Sequence, residues 1–196
     1  MRSAGHDRRD DCHLSRGGEV GSAELAEKMK EVHSKTPISH IVSSPFIRCV
    51  QTAKPVAEAL GLKIKVEPGI CEILSTFPPG FLDTVDLSQS FPDMIDESYT
   101  PVVRRDSLRA EFGDGQAARR AADASKRVRE KLEGPILFIG HGASCLGIAE
   151  AFGGGGYIGY TSLTHFSCNS GRWGVVGRFG DVSHLSDKQT SLNSAF

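Results

Sequence analysis

The sequence predicts an α/β fold in which helices cover a mainly parallel sheet. Three observations predict it. Short apolar, β-branched runs alternate with helical patterns along most of the chain, as strand–helix–strand units do. Two of those runs end in a polar or glycine turn that opens directly into a helix, the place where open α/β sheets gather ligands. The 196 residues, 39% hydrophobic and 24% charged, suit one soluble domain with a single core.

Taken in order, residues 1–18 are polar and charged and read as loop. Leu25, Ala26, Met29 and Val32 share one helical face, which predicts a helix over 23–32 with Ser22 as its N-cap. Residues 38–43 form a short strand, and 52–60 a helix closed by Gly61. Residues 62–66 alternate apolar and lysine, as a half-exposed strand does. The stretch 68–101 is irregular and rich in proline, and a loop that long is functional or mobile. Residues 116–132 are a strong helix whose basic residues, from Arg119 to Lys131, read as a solvated face. A buried strand at 136–139 ends in Gly140-His141-Gly142, and a helix at 143–152 stops at glycines 153–156. Segments 157–165 and 173–179 are late strands, paired as a hairpin across Asn169-Ser170-Gly171 at one edge of the sheet. One domain over 1–180 is followed by a polar, loose tail, 181–196.

Twenty-three basic residues against 24 acidic ones give no reason to expect nucleic acid or an anionic membrane as partner. Five scattered cysteines without a C-x-x-C pair exclude a disulfide scaffold and favour a reducing, cytoplasmic location. Seven histidines without paired ligand spacing predict no metal, and no cofactor is expected.

The chemistry concentrates in two turns. Ser43-Ser44-Pro45-Phe46-Ile47-Arg48-Cys49-Val50-Gln51-Thr52-Ala53 places one arginine between a strand and a helix start. The helix N-terminus offers free N–H groups and Arg48 a planar donor fork, so this is an anion site suited to phosphate. The alternative, an ordinary surface arginine, is disfavoured because the positive helix end repels a cation. His141, between two glycines at a strand end, reads as an oxyanion donor or an acid–base group near neutral pH. Its alternative is a packed histidine bonded to a carbonyl. Glu72, taken alone, reads as a solvated loop carboxylate.

Ser-Ser-Pro-x-x-Arg-x-x-Gln-Thr-Ala, then Val-Glu-Pro-Gly-Ile-Cys-Glu, then a strand ending in His-Gly-Ala-Ser together resemble the histidine phosphatase superfamily. Within it, the segments Arg48–Ala53 and Lys63–Glu72 are similar to the phosphatase domains of the ubiquitin-associated and SH3-containing branch. The resemblance spans about residues 2–166 and implies a three-layer α/β/α sandwich of the phosphoglycerate-mutase-like type. It implies a phosphohistidine mechanism with arginines and a second histidine around the phosphoryl oxygens, since phosphoryl transfer rests on charge neutralisation and positioning. On this chain it makes Arg48 a phosphate-binding arginine, Glu72 the proton donor and His141 the second histidine.

The nucleophile motif, Arg-His-Gly in the family, is broken in this chain. In one register Arg2 is the phosphate-binding arginine and Ser3 stands where the nucleophilic histidine belongs. In the other, His6 is the alternative nucleophile and Arg9 the downstream arginine, with Gly5 in place of the first arginine. The first is preferred because it keeps Arg2 and the small residue Ala4. Serine is the poorer nucleophile, needing a base where neutral imidazole does not. The expected function is therefore a phosphoryl-binding pocket with weak or absent chemistry. An active phosphomonoesterase working through His6, or a non-catalytic phosphoprotein-binding domain, is the alternative. The partner is a phosphorylated small molecule or phosphoprotein; the oligomeric state stays open, with a homodimer one option because the branch often dimerises. The family's first strand precedes its motif, whereas only Met1 precedes Arg2 here. A missing interior strand would leave buried backbone groups unpaired, so a truncated or alternative start is expected.

Overall fold

The structure is a computed structural model, and it describes residues 11–188. The chain runs α1 (Arg16–Lys35), β1 (His40–Ser43), α2 (Ile47–Leu60), β2 (Ile64–Val66), α3 (Thr84–Ser90), α4 (Asp114–Lys131), β3 (Ile136–Ile139), α5 (Gly142–Ala151), β4 (Leu163–Asn169) and β5 (Arg172–Asp181). Strands β2, β1 and β3 form a parallel sheet in that order. The expected parallel α/β class is therefore the observed one.

The sheet is covered on both faces because successive residues of β1 point to opposite sides. Ile41 packs with Met29 of α1 and Val50, Ala53 and Val56 of α2. Val42 packs with Ala121, Ala124 and Val128 of α4 and Ile148 of α5. Helices α4 and α5 touch closely at Gly147, where a Cβ would come within 2.0 Å of the Ala118 carbonyl oxygen. Any larger residue there would force the two helices apart.

Several element boundaries differ from expectation, each for a local reason. Helix α1 begins at Arg16, capped by Ser15, whose hydroxyl accepts the Gly18 N–H. Its first turns carry glycines and charges in place of an apolar stripe, so periodicity alone starts it too late. Ser22 is no cap; it is buried within the helix and donates to the Glu19 carbonyl at 2.9 Å. Helix α2 starts at Ile47, and its cap comes from a distant part of the chain. Oδ1 of buried Asp11 accepts the Ile47 N–H at 2.7 Å.

The stretch 68–101 is partly ordered. It opens with a 3-10 turn at Pro68–Ile70 and contains α3, capped by Asp83. Leu87 is the buried residue of α3, and one apolar contact in two turns leaves no readable period. The late hairpin forms with Asn169 opposite Arg172, and Ser170 and Gly171 both take positive φ in its turn, as tight hairpin turns require. Its first strand starts at Leu163, and among the described residues the hairpin is a separate two-stranded sheet. After Asp181 the chain still packs: Val182 and Leu185 are buried, and the Ser186 N–H bonds the Glu24 carboxylate at 3.1 Å. No strand precedes α1 among the described residues.

Candidate functional site

The site stands at the C-terminal edge of the parallel sheet. Strand β1 ends at Ser43, and the turn through Ser44, Pro45 and Phe46 feeds α2, which puts Arg48 in the first helical turn. Strand β3 lies beside β1, with Ile139 opposite Ser43, so His141 leaves the sheet next to that turn and sits at the head of α5. Glu72 follows the 3-10 turn after β2. Three crossings of one sheet thus deliver three side chains to one spot.

There, Arg48 Nη2 lies 3.1 Å from both Glu72 Oε2 and His141 Nδ1. His141 Nδ1 lies 3.2 Å from the same carboxylate oxygen. Behind the ring, Nε2 meets the Ser44 hydroxyl at 2.8 Å and Cys49 Sγ at 3.5 Å. The Ile73 N–H donates to the other Glu72 oxygen. Phe46 stands edge-on to His141 at 5.1 Å and carries the Arg48 guanidinium over its face at 4.8 Å. The His141 side chain is 3% exposed, while Arg48 and Glu72 are 22% and 30% exposed. The site therefore opens to solvent on the arginine–glutamate side and has the histidine as its floor.

The electrostatics follow from this nesting. Burial pushes His141 below its usual pKa, against the upward pull of Glu72, so the ring is uncharged at neutral pH. Burial raises the Glu72 carboxyl, but bonding to His141 and Ile73 and the nearby Arg48 charge outweigh it and hold the pKa at about 2. Burial also pushes the Cys49 thiol up, which leaves it an inert protonated neighbour. The Glu72 carboxylate thus neutralises the Arg48 guanidinium and rests against the His141 ring.

Of the residues singled out in the sequence, the structure brings Arg48, Glu72 and His141 together. Arg2, Ser3, His6 and Arg9 lie outside the described residues. Sequence reasoning gave no role to Ser44, although its place at the end of β1 foreshadows a buried hydroxyl. It also read Arg120 as part of a solvated helix face. Arg120 is instead 14% exposed and pairs with Glu111; it stands three residues after buried Ala117 and four before buried Ala124, a helical spacing that separates it from exposed Arg119. Among the described residues no group of three or more His, Cys, Asp or Glu could hold a metal ion.

The sequence pattern of the Histidine phosphatase superfamily (branch 1) matches residues 2–179. The chain belongs to this superfamily. Ecdysteroid-phosphate phosphatase of Bombyx mori is 33% identical over 115 residues, which cover 53% of this chain and 17% of the relative. Ubiquitin-associated and SH3 domain-containing protein B of Mus musculus is 28% identical over 129 residues, 58% of this chain and 19% of the relative. The chain thus spans less than a fifth of the length of either. The crystal structure of the ecdysone phosphate phosphatase of Bombyx mori, in complex with tungstate, superposes with a TM-score of 0.69. That match has 26% identity and covers 87% of this chain and 73% of that one. As a histidine phosphatase superfamily member the chain has the expected phosphoglycerate-mutase-like fold. No helix among the described residues is long and apolar enough to cross a membrane.

Proposed function

We propose that this pocket binds the phosphoryl group of a phosphate monoester, and that turnover is weak or absent because the Arg-His-Gly motif is broken. The observation that carries the reading is the convergence of Arg48 and His141, 3.1 Å apart, on the open side of a buried floor. A guanidinium fork and an imidazole at a helix head are strong donors for phosphoryl oxygens. Glu72, on the solvent side, is placed to give a proton to a departing ester oxygen once a phosphoryl dianion displaces it from Arg48 and raises its pKa. The tungstate held by the Bombyx mori relative's structure, an oxyanion of phosphate-like shape, supports the same ligand class. The substrate is a phosphorylated small molecule or a phosphoprotein.

A second reading has its own support. Asp11 caps α2 one residue before Arg48, and Gln51 bonds both the Leu14 N–H and the His13 ring. The chain therefore enters beside the pocket, and His6 stands five positions upstream of Asp11, an extended reach of about 17 Å. On this reading His6 attacks phosphorus, the ester oxygen leaves with the Glu72 proton, and water then frees phosphate from the phosphohistidine.

Hydrolysis of para-nitrophenyl phosphate decides between them. The proposal expects turnover at or near background in wild type and a gain in Ser3→His. Turnover that is lost in His6→Ala, Arg48→Ala and His141→Ala alike would establish the second reading. Failure of the folded protein to bind inorganic phosphate would overturn both.

A further inference from the structure

The loop that carries Glu72 has neither helix nor strand between the turn ending at Ile70 and Thr84, yet its carboxylate is held within hydrogen-bond reach of two other side chains. Something outside the pocket must fix it. We infer that Arg120 and Glu111 form the positioning pair that sets where the Glu72 carboxylate stands. This rests on the reading of Arg48, Glu72 and His141 as a phosphoryl pocket, and the pair acts on it through the backbone of the Glu72 loop.

The contacts bracket Glu72 on both sides. Arg120 Nη1 donates to the carbonyls of Gly69 and Cys71, at 2.9 and 3.2 Å. Nη2 donates to the carbonyl of Glu72 itself at 3.0 Å. Nε and Nη2 also hold the Glu111 carboxylate in a two-point grip at 2.8 Å each. All five guanidinium N–H groups are thereby used. Glu111 continues the clamp, since its Oε2 accepts the Leu74 N–H and its own N–H donates to the Leu74 carbonyl, both at 3.0 Å. The segment from Gly69 to Leu74 is therefore tied to one guanidinium–carboxylate unit, whose side chains are only 14% and 10% exposed.

Helix α4 supplies the rigid base. Ala117, Ala121 and Ala124 are buried along it, so Arg120 projects from a register fixed by packing. Lysine cannot replace this geometry, because a single ammonium cannot span three carbonyls and a carboxylate at once. Loss of the clamp lets Glu72 leave Arg48 and His141, which removes the carboxylate that competes with an incoming oxyanion.

The test compares wild type, Arg120→Met, Arg120→Lys, Glu111→Gln, Glu72→Gln and the Arg120→Met/Glu72→Gln double variant. Inorganic phosphate binding is measured by calorimetry, and the His141 ring is titrated by NMR. Variants that loosen the clamp should bind phosphate about threefold to tenfold more tightly, as Glu72→Gln does, because a neighbouring negative charge is gone. The double variant should gain nothing beyond Glu72→Gln alone, and Arg120→Lys should not restore wild-type behaviour. Glu111→Gln and Arg120→Lys, which keep a cation at position 120, should also lower the His141 titration midpoint, a readout that needs no ligand, whereas Arg120→Met also removes a charge that itself lowers the His141 pKa. A merely structural arginine would weaken phosphate binding in the Glu72→Gln background too, and that result would overturn the inference. So would an unchanged His141 midpoint in folded Glu111→Gln and Arg120→Lys. Absence of phosphate binding in wild type would sink the pocket reading instead, and the midpoint would still decide the positioning role.

Discussion

Glu67 and Glu72 stand five residues apart on one segment, and they do opposite things. Glu67 is fully buried. Its Oε1 accepts the N–H groups of Gly69 and Val103, and its Oε2 accepts the Tyr99 hydroxyl and the Val102 N–H. Every donor is neutral, none can be exchanged for a ligand, and the carboxyl group simply ties the start of the loop to residues 99–103. Glu72 is 30% exposed and shares one oxygen between Arg48 and His141, both of which an oxyanion could claim. The contrast separates a carboxyl group that holds a loop in place from one that can be displaced. Burial alone would have ranked them the wrong way, because the displaceable group is the more exposed.

Four substitutions or conditions break or sharpen this contrast. The largest effect on stability is expected from Glu67→Ala, which leaves four donors without their acceptor. Urea unfolding should show a loss of about 3–5 kcal/mol, while the molecules that remain folded bind phosphate as wild type does. Arg48→Ala should instead leave stability nearly intact and weaken phosphate binding about 100-fold, the scale of a charge-assisted bidentate contact. Glu72→Gln should change stability by no more than about 1 kcal/mol, since the pair is partly exposed, and should tighten phosphate binding. If it weakened binding, Glu72 would not be the competing anion described above.

The smallest effect is a pH dependence. His141 has a folded pKa below its unfolded value because of burial. The unfolded chain therefore takes up the proton first as pH falls. The stability linked to the uncharged ring is present above the unfolded value of about 6.5 and is lost as pH drops below it. His184, lowered by burial in the same direction, adds to the trend. Thermal melts from pH 7.5 to 5 should show falling stability, and His141→Gln should flatten part of the slope. The stability linked to the Glu72 carboxylate, whose folded pKa is about 2 against an unfolded value of 4.5, is fully present above the unfolded value and is lost as pH falls from there toward 2.

Much of this was legible in the sequence. Short apolar runs marked β1 and β3, and β2 showed as apolar residues alternating with lysine, where Ile64 and Val66 are buried and Lys65 is half-buried. The Arg48 turn and the His141 turn were visible as strand-to-helix corners, and adjacency of β1 and β3 then placed them together. Glu72 was legible only through family resemblance, since a carboxylate in a proline-rich loop has no local pattern. Arg120 was misread because the basic residues of α4 were taken as one solvated face: Arg120 stands three residues after Ala117 and four before Ala124, on the buried side of the helix, whereas neighbouring Arg119 is exposed. The cap of α2 was hidden because Asp11 is far from Ile47 in sequence, whereas capping rules are local. Helix α3 was missed because one buried leucine makes no period.

On the proposed function Arg48 and His141 grip one oxyanion together, and calorimetric titration of inorganic phosphate into the folded protein tests that directly. Saturable one-site binding is predicted for wild type and for Arg104→Ala, a control in which an exposed arginine paired with Asp106 is removed. Binding should weaken about 100-fold in Arg48→Ala and fall markedly in His141→Ala. Equal affinity in wild type and Arg48→Ala, or no binding by well-folded wild type, would contradict it.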